Sequence, residues 1–252
     1  MKIGPISVYG LLIACAAAVG VFLCTKQEKR LGFPADTGVD LALFALPGAI
    51  IGARAYYVLF RLDLFRQDPW SVLYIWEGGL AIYGGVIGGV LGVLLMSKFR
   101  KLSFFRLTDM AVPSLILGQA IGRWGNFFNG EAFGYEMTNP AWQFFPVCVC
   151  VGGIWHLATF FYESMWDLAG FFLLYLNRKK VRRDGDLTAC YFLWYGVGRA
   201  FIEGLRTDSL YLGPLRVSQV LSLVMVFVSG TALILSRRRE KNHMEYDAAP
   251  DK

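Results

Sequence analysis

Twenty consecutive residues, 5–24, carry no charge. Inside a bilayer no water satisfies backbone N–H and C=O groups, so an apolar run of about that length folds as a membrane-crossing helix. The basic residues Lys26, Lys29 and Arg30 follow this run instead of preceding it, and the run is longer than the apolar core of a cleaved leader. It therefore reads as a first span with its N-terminus outside. Six further stretches of about span length lie at 41–62, 78–97, 107–124, 159–176, 187–205 and 217–235. Only 17% of the 252 residues are charged and the mean hydropathy is +0.46, which excludes both an ordinary cytosolic domain and a disordered chain.

Basic residues orient the spans. Lys26, Lys29 and Arg30, then Lys98, Arg100, Lys101 and Arg106, then Arg178, Lys179, Lys180, Arg182 and Arg183, then Arg237, Arg238, Arg239 and Lys241 all fall on one side of a seven-span arrangement, 16 of the 25 in the chain. Positive residues are retained on the cytoplasmic side, so the expected topology is N-terminus outside and C-terminus cytoplasmic. The opposite loops hold few: Lys2, Arg61, Arg66 and Arg216. The net charge of +6 is thus topogenic, and no nucleic-acid partner is expected. The expected fold is an all-α integral membrane bundle of seven helices occupying 1–239. An extracytoplasmic cap or re-entrant segment is expected at 126–158, and a polar cytoplasmic tail at 240–252.

Five cysteines (Cys15, Cys24, Cys148, Cys150 and Cys190) lack CxxC spacing and read as small core residues; with two histidines, His156 and His243, no metal site is expected. Gly84, Gly88 and Gly92 share one face of the third span, and Gly85 and Gly89 another; Gly118 and Gly122 repeat the spacing in the fourth. Such small-residue faces serve close helix packing.

Charges inside spans are costly unless paired or facing water, so they mark function. The candidates are Arg54, Asp109, Arg123, Arg199 and Glu203. Tyr195, Arg199 and Glu203 recur every four residues on one helix face, with Arg206 three further on. Arg123 belongs to the run 122–131, where Asn126 and Asn129 lead to Glu131, with Gly134 just beyond. A guanidinium fork matches a phosphate, and two of them at the outer ends of neighbouring spans suit a phospholipid headgroup.

The run Gly122–Gly134 resembles the signature of bacterial prolipoprotein diacylglyceryl transferases. Further blocks occur in that family's order: Gly4-Pro5-Ile6 with Val8-Tyr9-Gly10, Gly52-Ala53-Arg54-Ala55-Tyr56-Tyr57, Trp76-Glu77-Gly78-Gly79-Leu80-Ala81-Ile82-Tyr83-Gly84-Gly85, and Tyr195-Gly196-Val197-Gly198-Arg199 with Glu203 and Arg206. The resemblance covers about 4–235. It implies a multi-pass protein of the bacterial cell membrane, a seven-helix bundle with a small extracytoplasmic head and no cofactor. Such a protein transfers the diacylglyceryl group of phosphatidylglycerol to the lipobox cysteine of a preprolipoprotein, whose signal peptide it meets among membrane lipids.

Carried over by position, the implied catalytic residues are Tyr9, Tyr83, Arg199, Glu203 and Arg206. The implied lipid-binding residues are Asp109, Arg123, Asn126, Glu131, Gly134 and Tyr195, with Asn129 beside them. Two departures stand out. Tyr83 replaces a histidine frequent in the family, and the usual His-Pro before Tyr-Glu reads Leu157-Ala158 before Tyr162-Glu163, leaving His156 out of register as a cap residue. The alternative reading is a transporter or lipid flippase whose buried Arg and Glu line a path; no inverted repeat is evident, and although Ser114 lies near Asp109, no Ser–His arrangement suggests a protease.

Overall fold

The computed structural model describes residues 2–3, 6–66, 68–181, 183–207, 211–212 and 214–247. Gly4, Pro5, Arg182 and the tail beyond 247, all named above, lie outside the described residues. The described chain is mostly helical. Its helices are α1 (Val8–Glu28), α2 (Thr37–Phe60), a single turn α3 (Leu62–Phe65), α4 (Ile82–Arg100), α5 (Phe104–Asn129), α6 (Thr159–Asn177), α7 (Asp186–Glu203) and α8 (Val217–Asp247). Three antiparallel two-stranded pairs complete it: β1 (Lys2–Ile3) with β2 (Ile6–Ser7), β3 (Cys148–Val151) with β4 (Ile154–Leu157), and β5 (Tyr211–Leu212) with β6 (Leu215–Arg216).

A helix of at least 18 residues forms on each of the seven apolar stretches. Among the described residues, four regions are long and apolar enough to cross a membrane: Val8–Glu28, Thr37–Phe60, Ile82–Arg100 and Val217–Arg238. The other three long helices, α5, α6 and α7, are diluted by Arg123, Glu163, Asp167, Arg199 and Glu203. Those side chains are largely buried, the two arginines keeping less than a fifth of their surface, so little of their polarity is presented to the surroundings. The outward surface is apolar instead, with Ile51, Leu59, Phe99, Phe201 and Phe227 among the exposed large side chains. A water-soluble fold would hide them; a lipid-facing one has no reason to.

The chain divides into two compact units, Met1–Gly20 with Ala111–Lys252, and Val21–Met110. In the second, α2 and α4 meet through bare backbone. A methyl at Gly48 would lie 2.6 Å from the Gly88 carbonyl oxygen, and one at Gly88 would lie 2.9 Å from the Gly52 Cα, so only glycine lets the two helices approach this closely. The Gly85 and Gly89 face meets Ala53 and Ala49 at ordinary contact distance. Arg54, a candidate buried charge by sequence, is a tether here. Its guanidinium donates to the carbonyls of Ser71, Val72, Gly78 and Gly79 at 2.6–3.1 Å, fastening the segment between α3 and α4.

In the first unit, Gly118 and Gly122 do not reproduce that tight contact. They face Ala16 and Ile13 at 3.9 and 3.7 Å, leaving room for a Cβ. The close approaches lie further along the chain. Trp166 of α6 and Trp194 of α7 stack with centroids 4.4 Å apart, and each indole N–H donates to the other's backbone carbonyl. Each ring also lies over a glycine of the facing helix, Gly198 and Gly170. Gly196 brings α7 against Ser222 and Val226 of α8. At the start of α7, Asp186 accepts from the Ser236 hydroxyl.

The segment expected as a cap differs from expectation at both ends. Residues 126–129 are the last turn of α5, because nothing before Gly130, whose φ is +73°, breaks the helix. Within the apolar stretch 144–157, residues 148–157 form a hairpin. Gly152 and Gly153, with φ of +60° and +86°, make its two-residue turn, and β-branched and aromatic residues flank it. Cys148 is fully buried there, and burial pushes its thiol up, away from the reactive thiolate.

Candidate functional site

The site grows from α6. Glu163 and Asp167 sit four residues apart on one face of this helix, and each is nearly fully buried. An isolated carboxylate in such a place is costly, so each has to be paired or neutralised. Glu163 is paired with three arginines. Its Oε2 lies 2.5 Å from Arg123 Nε of α5, and its Oε1 lies 2.5 Å from an Arg199 terminal nitrogen of α7 and 3.4 Å from one of Arg206. The other terminal nitrogen of Arg199 is 2.5 Å from Glu203 Oε2, one helical turn away. One carboxylate thus gathers three guanidinium groups, and Arg199 is held between two carboxylates.

The neighbouring helices are locked so that the charges meet. Trp124 donates to the Ser164 hydroxyl at 3.1 Å, which in turn donates to the Ala120 carbonyl at 2.9 Å, so Arg123 is followed by a fixed α5–α6 joint. Phe127 stacks on Phe160 one turn further along α5. On α7, Tyr195 stacks on Tyr191, whose hydroxyl exchanges hydrogen bonds with the Gln119 amide of α5. Arg216 fastens the end of α7: it donates to the Glu203 backbone carbonyl and to the Tyr135 hydroxyl.

The arginines are not sealed in. The Arg123 and Arg199 side chains keep 18% and 17% exposure, against 5% for Glu163 and 2% for Glu203. The carboxylates are the more deeply buried groups and the guanidinium groups the more accessible ones. That arrangement presents N–H donors to an incoming anion while their positive charge is held in place from behind.

The sequence-derived residues fall into three groups. Arg123, Arg199, Glu203 and Arg206 come together through Glu163, and Tyr195 interacts electrostatically with Arg123, Arg199 and Glu163. Around the end of α5, Tyr9 lays its ring against Gly125, where a methyl would come within 2.5 Å of it; Asn126 and Asn129 occupy the last turn, and Glu131 follows, exposed. Gly134 pairs with Arg206 in an isolated bridge, donates to the Leu157 carbonyl at 2.9 Å, and has no space for a side chain beside Leu157, Thr159 and the Leu205 carbonyl. The third group, Tyr83 and Asp109, belongs to the second unit. Tyr83 is the second residue of α4 and is partly exposed; Asp109 is buried in the second turn of α5. His156 lies in β4, with its Nδ1 3.2 Å from the Gly134 carbonyl and its ring stacked on Phe133.

Glu163 and Asp167 were missed as site residues by the sequence reading. The signal was available, since two carboxylates four apart in an otherwise apolar stretch meet the same test that singled out Arg199 and Glu203.

A family model described as prolipoprotein diacylglyceryl transferase matches residues 1–235. The phosphatidylglycerol–prolipoprotein diacylglyceryl transferase of Bacillus cereus (strain ATCC 14579) is 45% identical over 254 residues, covering 98% of this chain and 94% of its own. Proteins of the same name from Bacillus cytotoxicus and Bacillus anthracis are 44% identical with the same coverage. With the family model matching most of the sequence and similarity running through nearly its whole length, the chain belongs to the prolipoprotein diacylglyceryl transferase family.

Proposed function

We propose that this protein transfers the diacylglyceryl group of phosphatidylglycerol to the lipobox cysteine thiol of a preprolipoprotein. This forms a thioether, releases glycerol phosphate and begins lipoprotein maturation. The observation that carries the reading is the gathering of Arg123, Arg199 and Arg206 on the single buried carboxylate of Glu163. We place the seven long helices across the bacterial cell membrane, N-terminus outside and C-terminus cytoplasmic, with the cluster toward the outer face.

The chemistry asks for two things that these residues supply. A free thiol has a pKa near ~8.5, and a nearby guanidinium favours the thiolate that must attack. When sulfur bonds to the glyceryl carbon, the carbon–oxygen bond to phosphate breaks and charge grows on the departing phosphate. Guanidinium groups stay protonated and can hold two phosphate oxygens at once, and in a water-poor pocket such preorganised donors stabilise developing charge strongly.

In this account Arg123, with Asn126 and Asn129 at the end of α5, positions the headgroup. Arg199 stabilises the thiolate and the leaving phosphate, and Arg206 adds a third donor set. Glu163 and Glu203 fix the forks in orientation. Tyr9 and Gly134 shape the walls, and Tyr195 lines the inner side beside both arginines. Tyr83, as a catalytic residue, and Asp109 and Glu131, as lipid-binding ones, are assigned on the family resemblance alone. The nucleophile belongs to the substrate, so no reactive cysteine of the protein and no cofactor takes part.

The test is direct. Purified protein in detergent is incubated with phosphatidylglycerol and a lipobox peptide, beside its Arg199→Ala variant, and the products are read by mass spectrometry. Diacylglyceryl peptide and free glycerol phosphate from the parent but not the variant are expected. A folded, lipid-supplied parent that makes no adduct overturns the proposal.

A further inference from the structure

The transferase reaction liberates a proton, and the residues described so far give it no destination. His156 is engaged with Gly134 and Phe133 in the cap, and the other histidine, His243, falls near the end of α8. Both Glu163 oxygens face guanidinium groups, and Glu203 is held by Arg199.

Asp167 is different. It lies one turn along α6 from Glu163, is 2% exposed, and its Oδ2 has no hydrogen-bond partner among the described residues. A buried carboxylate oxygen without a donor is rare in native folds and calls for an explanation. The groups that act on it electrostatically come from all three surrounding helices: Arg123 of α5, Glu163 of α6, and Arg199, Tyr195 and Tyr191 of α7. Tyr195 lies one turn from Arg199 on α7 as Asp167 lies one turn from Glu163 on α6, and the Trp166–Trp194 stack holds these turns of the two helices together, which sets Tyr195 beside Asp167 and next to the arginine cluster.

We infer that Asp167 receives the thiol proton, by way of the Tyr195 hydroxyl, as a positioning residue behind the arginine cluster. This rests on the transferase reading above. The step balances as follows. The thiol sulfur forms a bond to the glyceryl carbon, and the carbon–oxygen bond breaks with its electron pair remaining on glycerol phosphate. The thiol proton passes to the Tyr195 oxygen as the Tyr195 proton passes to Asp167.

Charge bookkeeping in the buried site permits this destination, as it permits the leaving phosphate itself. Arg123, Arg199 and Arg206 face Glu163, Glu203 and Asp167, three cations against three anions, and the bound phosphodiester adds one negative charge. Release of the phosphate as a dianion adds another, which a proton on Asp167 cancels, so the desolvated site keeps constant net charge through the chemical step. In a low-dielectric site a net change of charge is strongly disfavoured. After product leaves, the proton departs to solvent and the carboxylate is restored.

The experiment uses the full-length enzyme in detergent, with phosphatidylglycerol and the lipobox peptide, and follows kcat and KM for adduct formation from pH 5.5 to 9. Asp167 acts as a base, so in the parent kcat is lost as pH falls through its titration and levels off above it. Asp167→Asn is expected to lower kcat at pH 7 by about tenfold or more, the low end of what a proton-transfer role contributes, with KM within about twofold. Its plateau is expected to be replaced by a rate that climbs with pH, because hydroxide must then remove the proton. Asp167→Glu should restore the plateau, and Tyr195→Phe should lose it as Asp167→Asn does. The last variant keeps the test alive if Asp167→Asn does not fold.

A parent-shaped pH profile in Asp167→Asn and in Tyr195→Phe, whether or not kcat falls, overturns the inference and leaves the leaving phosphate as the proton's carrier. No adduct from the parent is a different result, which refutes the transferase reading itself.

Discussion

Glu163→Gln removes one charge and almost no volume from the point where three arginines converge. The parent carboxylate has contacts of 2.5 Å to Arg123, 2.5 Å to Arg199 and 3.4 Å to Arg206, at 5% exposure, so water screens them little. Breaking a buried pair by removing one partner costs about 3–5 kcal/mol, because the remaining charge is left uncompensated. Here three guanidinium groups lose a shared partner, while Glu203 keeps its pair with Arg199. At about 2–4 °C per kcal/mol for a chain of this size, the unfolding midpoint in detergent should fall by roughly 10 °C. The loss should be partly reversed by inorganic phosphate at millimolar concentration, since an anion bound to the folded state replaces the missing charge and stabilises by mass action. The parent, whose arginines already have their counter-charge, should respond much less. Intrinsic tryptophan fluorescence during heating, with and without phosphate, reads both effects. A variant that unfolds within about 2 °C of the parent and gains nothing from phosphate would refute the view that Glu163 holds the arginines in place.

Two further outcomes follow from the same geometry. Gly134→Ala drives a methyl to 2.7 Å from the Leu157 Cβ, 2.8 Å from the Leu205 carbonyl oxygen and 2.9 Å from the Thr159 Cγ2, so overpacking should cost about 1–3 kcal/mol and lower the unfolding midpoint by several degrees; an unshifted midpoint would show that these segments yield freely. Tyr83→Phe should raise KM for phosphatidylglycerol about fivefold and leave kcat nearly unchanged, the loss of one hydrogen bond of about 1 kcal/mol; a collapse of kcat would instead make its hydroxyl a proton carrier.

Helix placement was legible in the sequence because a span leaves a signature that context cannot erase: about twenty residues without water-seeking groups. The Tyr195, Arg199, Glu203 face was legible because helical periodicity alone puts residues four apart together, and the Arg199–Glu203 pair does form. Glu163 escaped notice because what makes it central is not local. Its partners are 40, 36 and 43 residues away, and only the packing of α5, α6 and α7 brings them to one carboxylate. Ser164 shows the same gap between sequence and site, since its role is to receive Trp124 across a helix interface. The hairpin at 148–157 could have been read from its Gly-Gly turn between β-branched and aromatic residues. An apolar run too short to span drew attention to the membrane instead. Arg54 shows that buried charge does not by itself mean chemistry, because backbone carbonyls satisfied it without any carboxylate among the hydrogen bonds it makes.

The central claim is that the planar fork of Arg199, clamped between Glu163 and Glu203, holds the departing phosphate. Its most direct test is the rate of diacylglyceryl adduct formation by Arg199→Lys at saturating phosphatidylglycerol, with the variant's unfolding midpoint checked against the parent's. Charge is kept and bidentate geometry is lost, so the account predicts a fall in kcat of about a hundredfold or more in a folded protein. A lysine variant turning over within about twofold of the parent would contradict it.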